Sequence, residues 1–177
     1  MEIIERKIDH RLAQLEGARH AELDCIRLVQ QPSIRIVWIK AQVRFNSYLW
    51  LEHSIRKLEK DQKIPLSYLG KVGVGIVQEH LQARQFQHYD LVFLVLDAED
   101  TYEGEVQQVP EGLCVAVQFH GSHETAPRYY EMLMRYLQEH HLQAAGFSRE
   151  IALIDNCISA DPEQYVTEIR IPVRAAE

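Results

Sequence analysis

The sequence has few of the features that mark secreted, membrane or thiolate-metal proteins. Its three cysteines, Cys25, Cys114 and Cys157, are odd in number and widely spaced, which argues against a disulfide framework and against a paired-thiolate metal site. The longest apolar runs, such as residues 91–96, are far too short to span a bilayer. The N-terminus lacks the apolar block and cleavage site of a signal peptide. We therefore expect a cytoplasmic protein with no membrane partner.

Positive charge is also scarce. The 177 residues include 19 Lys and Arg against 26 Asp and Glu, for a net charge of −7. Because phosphate contacts require concentrated Lys and Arg, this chain by itself is not expected to bind nucleic acid, whereas a cationic small molecule is not disfavoured. With 46% hydrophobic and 25% charged residues, the composition is that of a globular protein with one domain or two small ones.

Catalytic and metal-binding motifs are missing as well. The chain has neither a Gly-x-Ser-x-Gly elbow nor a His-Glu-x-x-His pair. Residues 73–75 superficially resemble a dinucleotide-binding turn, but the third glycine is absent and the run lies in a strand pattern. His140 and His141 project at different angles, and His120 and His123 lack a third ligand at a useful spacing. The sequence therefore predicts no metal, no cofactor and no catalytic residue.

What the chain does contain is one structural unit used twice. Apolar periodicity from Val109 to Val173 predicts the order strand, helix, strand, strand, and the segment from Ile34 to Asp97 predicts the same order. Acidic residues from 97 to 105 predict a solvated linker between the halves. The predicted fold class is α+β with duplicated β-α-β-β units, at about 34–97 and about 109–173.

An N-terminal helix is predicted before the first unit. Apolar residues within 1–28 recur at steps of three and four, which is typical of one helical stripe, at Ile4, Ile8, Leu12, Leu15, Leu23 and Ile26. Pro32 ends the helical run. The stripe either lies on its own domain or pairs with a second chain in a short coiled coil. We accordingly divide the chain into a helical region, 1–31, and a domain, 32–177.

The last predicted strand carries a glutamate of interest, Glu168. Alternation places Ile169, Ile171 and Val173 on one face and Val166, Glu168 and Arg170 on the other. By alternation alone, Glu168 is a solvated residue on the outer face of the strand. Aromatic residues occur in both halves, and most are expected to fill the core.

The second half resembles a known family. The strings VPEGLCVAVQFHGSHE and YVTEIRIPV are similar to GyrI-like effector-binding domains, which occur in BmrR-type regulators of the MerR family and in AraC-type regulators. The resemblance covers about 34–173, and TEIRIPV is its most specific part. The predicted helix at 1–28 also resembles the dimerising linker helix of MerR-type regulators.

The resemblance implies two units related by a pseudo-twofold axis, with a ligand cleft between them. The cleft would be lined by aromatic rings, with Glu168 in the place of the family's deep glutamate. A lipophilic cation would relieve the cost of a carboxylate withdrawn from water and would gain about 0.5–2 kcal/mol for each ring contact. By position, the rings predicted to line the cleft are Trp38, Tyr48, Phe93, Tyr129 and Tyr165.

The resemblance also implies a function. We expect the effector-binding domain of a bacterial transcription regulator, which binds a small-molecule effector without changing it. It would dimerise through the N-terminal helix and reach DNA only through a domain absent from this chain. The alternatives are a stand-alone relative that inhibits gyrase or sequesters a compound, and a small-molecule hydrolase that uses Glu168 as an acid or base.

Overall fold

A computed structural model describes residues 2–44, 71–156 and 158–176. The helices are α1 (Glu2–His20), α2 (Gln78–Gln82) and α3 (Ala126–Glu139), with a short 3-10 helix at Pro162–Gln164. The strands are β1 (Arg27–Gln31), β2 (Ile34–Arg44), β3 (Val72–Gly75), β4 (His88–Leu96), β5 (Gln107–Val109), β6 (Gly112–His120), β7 (Leu142–Ala144), β8 (Arg149–Ile154) and β9 (Val166–Ala175).

The strands form a sheet whose order repeats the same arrangement in each half. The order is β1-β6-β9-β8-β3-β4-β2-β5, and β7 pairs with β9 outside this path. In both halves the strand that comes last in the sequence, β4 or β9, lies between the other two. The halves meet where Val74 of β3 pairs with Glu150 of β8. The predicted α+β fold is confirmed, whereas the helix predicted for the first half falls within 45–70, outside the described residues.

Two short strands exchange between the halves. β1 precedes the first half in sequence but pairs with β6 of the second, and β5 precedes the second half but pairs with β2 of the first. Neither strand is predicted from the sequence. The predicted helix is too long, because α1 ends at His20 and Arg27–Gln31 is a strand. Pairing with β6, in which Leu28 lies opposite Val115, outweighs the weak helical periodicity there.

One face of the sheet is covered by α3. The helix has Pro127 in its first turn, where the missing N–H is not needed, and it buries Tyr129, Tyr130, Leu133 and Leu137 along one stripe. These residues pack in the main core with the alternating β9 side chains Ile169, Ile171 and Val173. The prediction that these three side chains lie on one face of β9 is therefore confirmed.

The other face of the sheet is partly covered by α1. Ala18 packs with Leu153, Ile154 and Val166 in a separate small core. Nearer the N-terminus of α1, charged side chains are buried against the domain. Lys7 is only 4% and Arg11 only 8% exposed. By contrast, Ile8 is 47% and Leu12 is 53% exposed, so part of the predicted apolar stripe faces away from this domain.

Two glycines allow the halves to meet closely. A Cβ atom on Gly73 would lie 2.7 Å from the Glu150 carbonyl oxygen, and closer still to the ring of Phe93. A Cβ atom on Gly75 would collide with the carbonyl oxygen of Ser148. The run at 73–75 is therefore part of a strand at the centre of the sheet, and close packing excludes a side chain at positions 73 and 75. This packing explains both glycines without a nucleotide.

Candidate functional site

A row of opposed residues crosses the sheet on the face that α1 covers. Strand registers place its members in the order Gln118, Glu168, Ile151, Gly73, Phe93 and Trp38. The row changes from polar at one end to aromatic at the other. Since neighbouring strands are about 4.8 Å apart, the backbone of Glu168 lies about 14 Å from that of Phe93.

A cavity of about 420 Å³ lies between α1 and the polar end of this row. Its walls include His10, Arg11, Ala13 and Gln14 of α1, and Gln31, Ile34, Lys71, Val95, Asp97, Arg149, Ile151, Glu168 and Arg170 below. No aromatic ring of the described chain is among these residues, apart from the imidazole of His10. The described part of the cavity wall is therefore mostly charged, with an apolar patch.

Glu168 lies in this cavity with its charge already matched. Its side chain is 12% exposed. Arg170 donates from Nε to Glu168 Oε1 at 2.7 Å and from Nη2 to Oε2 at 3.1 Å, and Gln118 donates to Oε2 at 2.7 Å. Burial opposes the charge on Arg170, but the Glu168 carboxylate outweighs that effect and raises the pKa of Arg170. A cationic ligand at Glu168 would have to compete with Arg170.

Trp38 and Phe93 lie together at the other end of the row. Trp38 is half-buried and Phe93 fully buried, with Phe147 5.6 Å from the first ring centroid and 6.4 Å from the second. Their apolar cluster includes Ile34, Val95 and Ile151, the three residues that form the apolar patch of the cavity. The structure therefore brings Glu168 and these two rings to one face, but not into contact.

The other predicted aromatic residues lie elsewhere. Tyr129 is on the α3 side of the sheet, where it stacks on Phe119 with 3.9 Å between ring centroids. Its hydroxyl group donates a hydrogen bond to Asp24 Oδ1. Tyr165 is half-buried after the 3-10 helix, and its carbonyl accepts from the Gly121 N–H at 3.0 Å. Tyr48 falls outside the described residues.

A second polar centre, which we do not predict from the sequence, lies on the α3 side of the sheet. Glu150 is fully buried there. The Tyr89 hydroxyl donates to Glu150 Oε1 at 2.6 Å, and His123 Nδ1 lies 2.5 Å from the same oxygen. The Tyr130 hydroxyl lies 2.9 Å from Ser148 Oγ beside them. Glu150 Oε2 has no hydrogen-bond partner among the described residues.

Electrostatics keep the tyrosines of this centre protonated. Burial, followed by the charge of Glu150, raises the pKa of Tyr89 and of Tyr130 well above the ordinary tyrosine value. Both phenols therefore remain hydrogen-bond donors at neutral pH. A buried carboxylate with one unsatisfied oxygen is costly unless a donor or a cation reaches it. This centre is suited to receive a ligand that carries either one.

A third cluster has the donor types of a metal site. Ligand atoms of His80, His88 and Asp90 lie within 4.8 Å of one another, and two imidazoles with a carboxylate suit zinc. Asp90 also has a structural role, because it accepts from the Val77 N–H at 2.9 Å and contacts His80 Nδ1 at 2.8 Å. It thereby ties α2 to β4. The sequence gives no signal for this cluster, because the turn between α2 and β4 is what brings its members together.

The repeated antiparallel sheet, with α3 on one face and α1 on the other, defines an α+β domain. The chain belongs to the GyrI-like family, since the model of the GyrI-like small molecule binding domain matches residues 25–174. The match begins just before β1, so the family domain includes a strand that the sequence pattern assigns to the N-terminal helix.

Solved structures show the same fold at low identity. The EcmrR C-terminal domain is 18% identical, with a TM-score of 0.65 over 86% of this chain and 98% of that one. SAV2435 bound to tetraphenylphosphonium is 17% identical, with a TM-score of 0.54 over 85% and 94% of the chains. A hydrolase from Listeria innocua is 14% identical, with a TM-score of 0.55 over 90% and 96%.

No curated protein matches the chain in sequence. Among the described helices, none combines the length and apolar character needed to cross a bilayer.

Proposed function

We propose that this chain is the effector-binding domain of a bacterial transcription regulator, and that it binds an organic ligand at Glu150 without changing it. The observation that carries the proposal is the fully buried Glu150 carboxylate, which has one oxygen without a partner among the described residues. A ligand that donates a hydrogen bond or a positive charge to that oxygen removes a desolvation cost. Binding is therefore coupled to a feature that is unfavourable in the empty domain.

The ligand class that suits this centre is a lipophilic cation. The Tyr89 hydroxyl donates to the Glu150 carboxylate, and Tyr130 is electrostatically coupled to it, so two aromatic residues lie beside the charge. Aromatic faces attract cations by about 0.5–2 kcal/mol. SAV2435, a structural neighbour, is bound to tetraphenylphosphonium, which is such a cation. The family resemblance assigns the role of the buried, cation-binding glutamate to Glu168. Glu150 suits that role better, because Arg170 already neutralises the charge of Glu168.

Strand β8 connects the proposed ligand site to the N-terminal helix. β8 carries Glu150 on the α3 side and Arg149 on the α1 side, and the Arg11 guanidinium of α1 donates to the Leu153 carbonyl of β8 at 2.8 Å. A shift of β8 on binding would therefore move α1. EcmrR has been solved in a complex with DNA, which supports a regulator context, with DNA contacted by a further domain. The exposed Ile8 and Leu12 make α1 the candidate dimer contact.

Calorimetric titration with tetraphenylphosphonium tests the site. Glu150→Gln keeps the shape and removes the charge, so we expect at least a tenfold loss of affinity, about 1.4 kcal/mol. Glu168→Gln is the matched control and should retain affinity near that of the wild type. Equal binding by wild type and Glu150→Gln would contradict the proposal, and selective loss in Glu168→Gln would return the site to the α1 cavity.

A hydrolase is the second candidate function. The 2.5 Å contact between His123 and Glu150 gives the same centre a pair of groups able to transfer a proton. His123 is the solvent-facing member, with 20% of its side chain exposed. We expect a bound ligand to be recovered unchanged after long incubation. Conversion that is abolished in both His123→Ala and Glu150→Gln would favour the hydrolase instead.

A further inference from the structure

Arg149 is a buried cation with no matching carboxylate among the residues that the structure describes. It is 5% exposed and forms part of the wall of the α1 cavity. Its Nη2 donates to Cys114 Sγ at 3.3 Å, whereas Nε has no partner, and no ion pair to a carboxylate is found for it among the described residues. Burial raises the pKa of the Cys114 thiol, so the sulfur is neutral and a weak acceptor. An uncompensated buried guanidinium is energetically unfavourable.

A second arginine faces Arg149 directly. Arg170 is its cross-strand partner in β9, and like charges at opposed positions of a sheet are destabilising. Arg170 is itself satisfied by Glu168 and by Gln31 Oε1 at 2.6 Å. Arg170 therefore adds positive charge beside Arg149 and offers Arg149 no hydrogen-bond acceptor. The Arg149–Arg170 pair therefore favours an anion from outside the described chain.

The carboxylates in the described wall of the cavity are paired with other cations. Its walls include four cationic side chains, Arg11, Lys71, Arg149 and Arg170, against two carboxylates, Asp97 and Glu168. Lys71 pairs with Asp97, and Arg170 pairs with Glu168. Among the described wall residues, Arg149 is therefore a cation that no carboxylate matches.

The shape of the cavity limits the size of the anion. A volume of about 420 Å³ falls in the range of about 300–1,000 Å³ typical of small-molecule sites. Ile34, Val95 and Ile151 offer an apolar surface beside the arginines. A planar carboxylate can accept two parallel hydrogen bonds from a guanidinium, and an attached hydrocarbon group can cover the apolar residues.

We propose that the cavity under α1 is a second ligand site, for a small amphipathic carboxylate whose anionic group binds Arg149. This site lies on the opposite face of the sheet from Glu150, so it does not depend on the proposed cation site. Because α1 supplies part of its wall, the occupant contacts the helix directly. An anion bound there would hold α1 against the sheet.

Titration of the whole chain with 4-phenylbutyrate tests this site. 4-Phenylbutyramide is a neutral analogue of the same shape, and 4-phenylbutylamine is a cationic analogue of the same chain length. We expect the carboxylate to bind and to raise Tm, and the two analogues to bind at least tenfold more weakly. Arg149→Met should reduce carboxylate affinity at least tenfold. Arg174→Gln, which removes an exposed arginine of β9, should leave it unchanged.

Three results would overturn the proposal: no carboxylate binding, equal binding of the carboxylate and the amine, or equal carboxylate binding by wild type and Arg149→Met. If Arg149→Met does not fold, Arg149→Lys takes its place. Lysine keeps the charge but lacks the planar fork, so affinity should fall and not vanish. Glu150→Gln should bind 4-phenylbutyrate as the wild type does, and this result separates failure of the anion site from failure of the cation site.

Discussion

Replacing Gly73 with alanine should show how tightly the two halves are joined. The added methyl group would lie 2.7 Å from the Glu150 carbonyl oxygen and 2.8 Å from Ile151 Cγ1, and closer than either to the ring of Phe93. Real Cβ atoms do not approach other atoms this closely. Glu150 is paired with Val74, so its carbonyl cannot retreat without separating β3 from β8.

The cost can be estimated from opposing effects. Overpacking a full core costs about 1–3 kcal/mol, and the upper end applies because one neighbour is backbone and Phe93 is fully buried. Alanine also lowers the conformational entropy of the unfolded chain. This effect stabilises the folded state by about 0.4–1 kcal/mol where the backbone conformation allows alanine. The net loss in the free energy of unfolding is therefore about 2 kcal/mol. For a chain of this size that lowers Tm by about 4–8 °C.

Urea unfolding followed by fluorescence and circular dichroism measures this loss. Gly112→Ala is the matched control, because a Cβ atom there meets nothing within 4 Å, and it should change stability by no more than about 0.5 kcal/mol. Adding Phe93→Leu to Gly73→Ala should cost less than the sum of the single changes, since the smaller side chain leaves room for the methyl group. Gly73→Ala with the stability of the wild type would refute the reasoning.

Two further predictions concern pH and assembly. Burial, followed by the hydrogen bond to Asp24, raises the pKa of Tyr129 to about 12 from its ordinary value of 10.0, so its stabilising contribution is complete below about pH 10 and is lost between about pH 10 and pH 12. Unfolding measured across that range should show a steeper loss for wild type than for Tyr129→Phe, and parallel curves would exclude this coupling. Separately, if α1 dimerises the chain through the exposed Ile8 and Leu12, replacing both with aspartate should give monomers in light scattering without lowering Tm; a monomeric wild type would exclude that contact.

The second half of the fold could be predicted in detail because its patterns are strong. α3 carries an apolar stripe at helical spacing after a proline, and burial along β9 alternates strictly from Thr167 to Val173. Both patterns reflect a single buried face, which a sequence displays directly. The sequence pattern does not predict strands β1 and β5, because each is short and is stabilised by pairing with the other half rather than by its own periodicity.

The candidate sites were harder to predict, because burial of a charge depends on which strands become central. Arg149 and Glu150 are adjacent charged residues, which in most sequences signal a solvated strand end. Here β8 lies between β9 and β3, so the two side chains enter opposite faces and both are buried. Glu168 was singled out by its motif, but the motif does not reveal that Arg170, two residues away, pairs with it.

By itself, then, the sequence determined the α+β class, the order of the main strands in two halves and the alternating direction of the β9 side chains. These follow from local periodicity, because each helix or strand must bury its apolar face. Only the tertiary structure decided that the halves exchange edge strands, that Glu150 is buried beside Tyr89 and His123, and that Arg149 lies in the cavity beside α1 with no carboxylate partner among the described residues. Such features depend on contacts between residues far apart in the chain, and hydrophobic periodicity carries no information about which charged groups will meet.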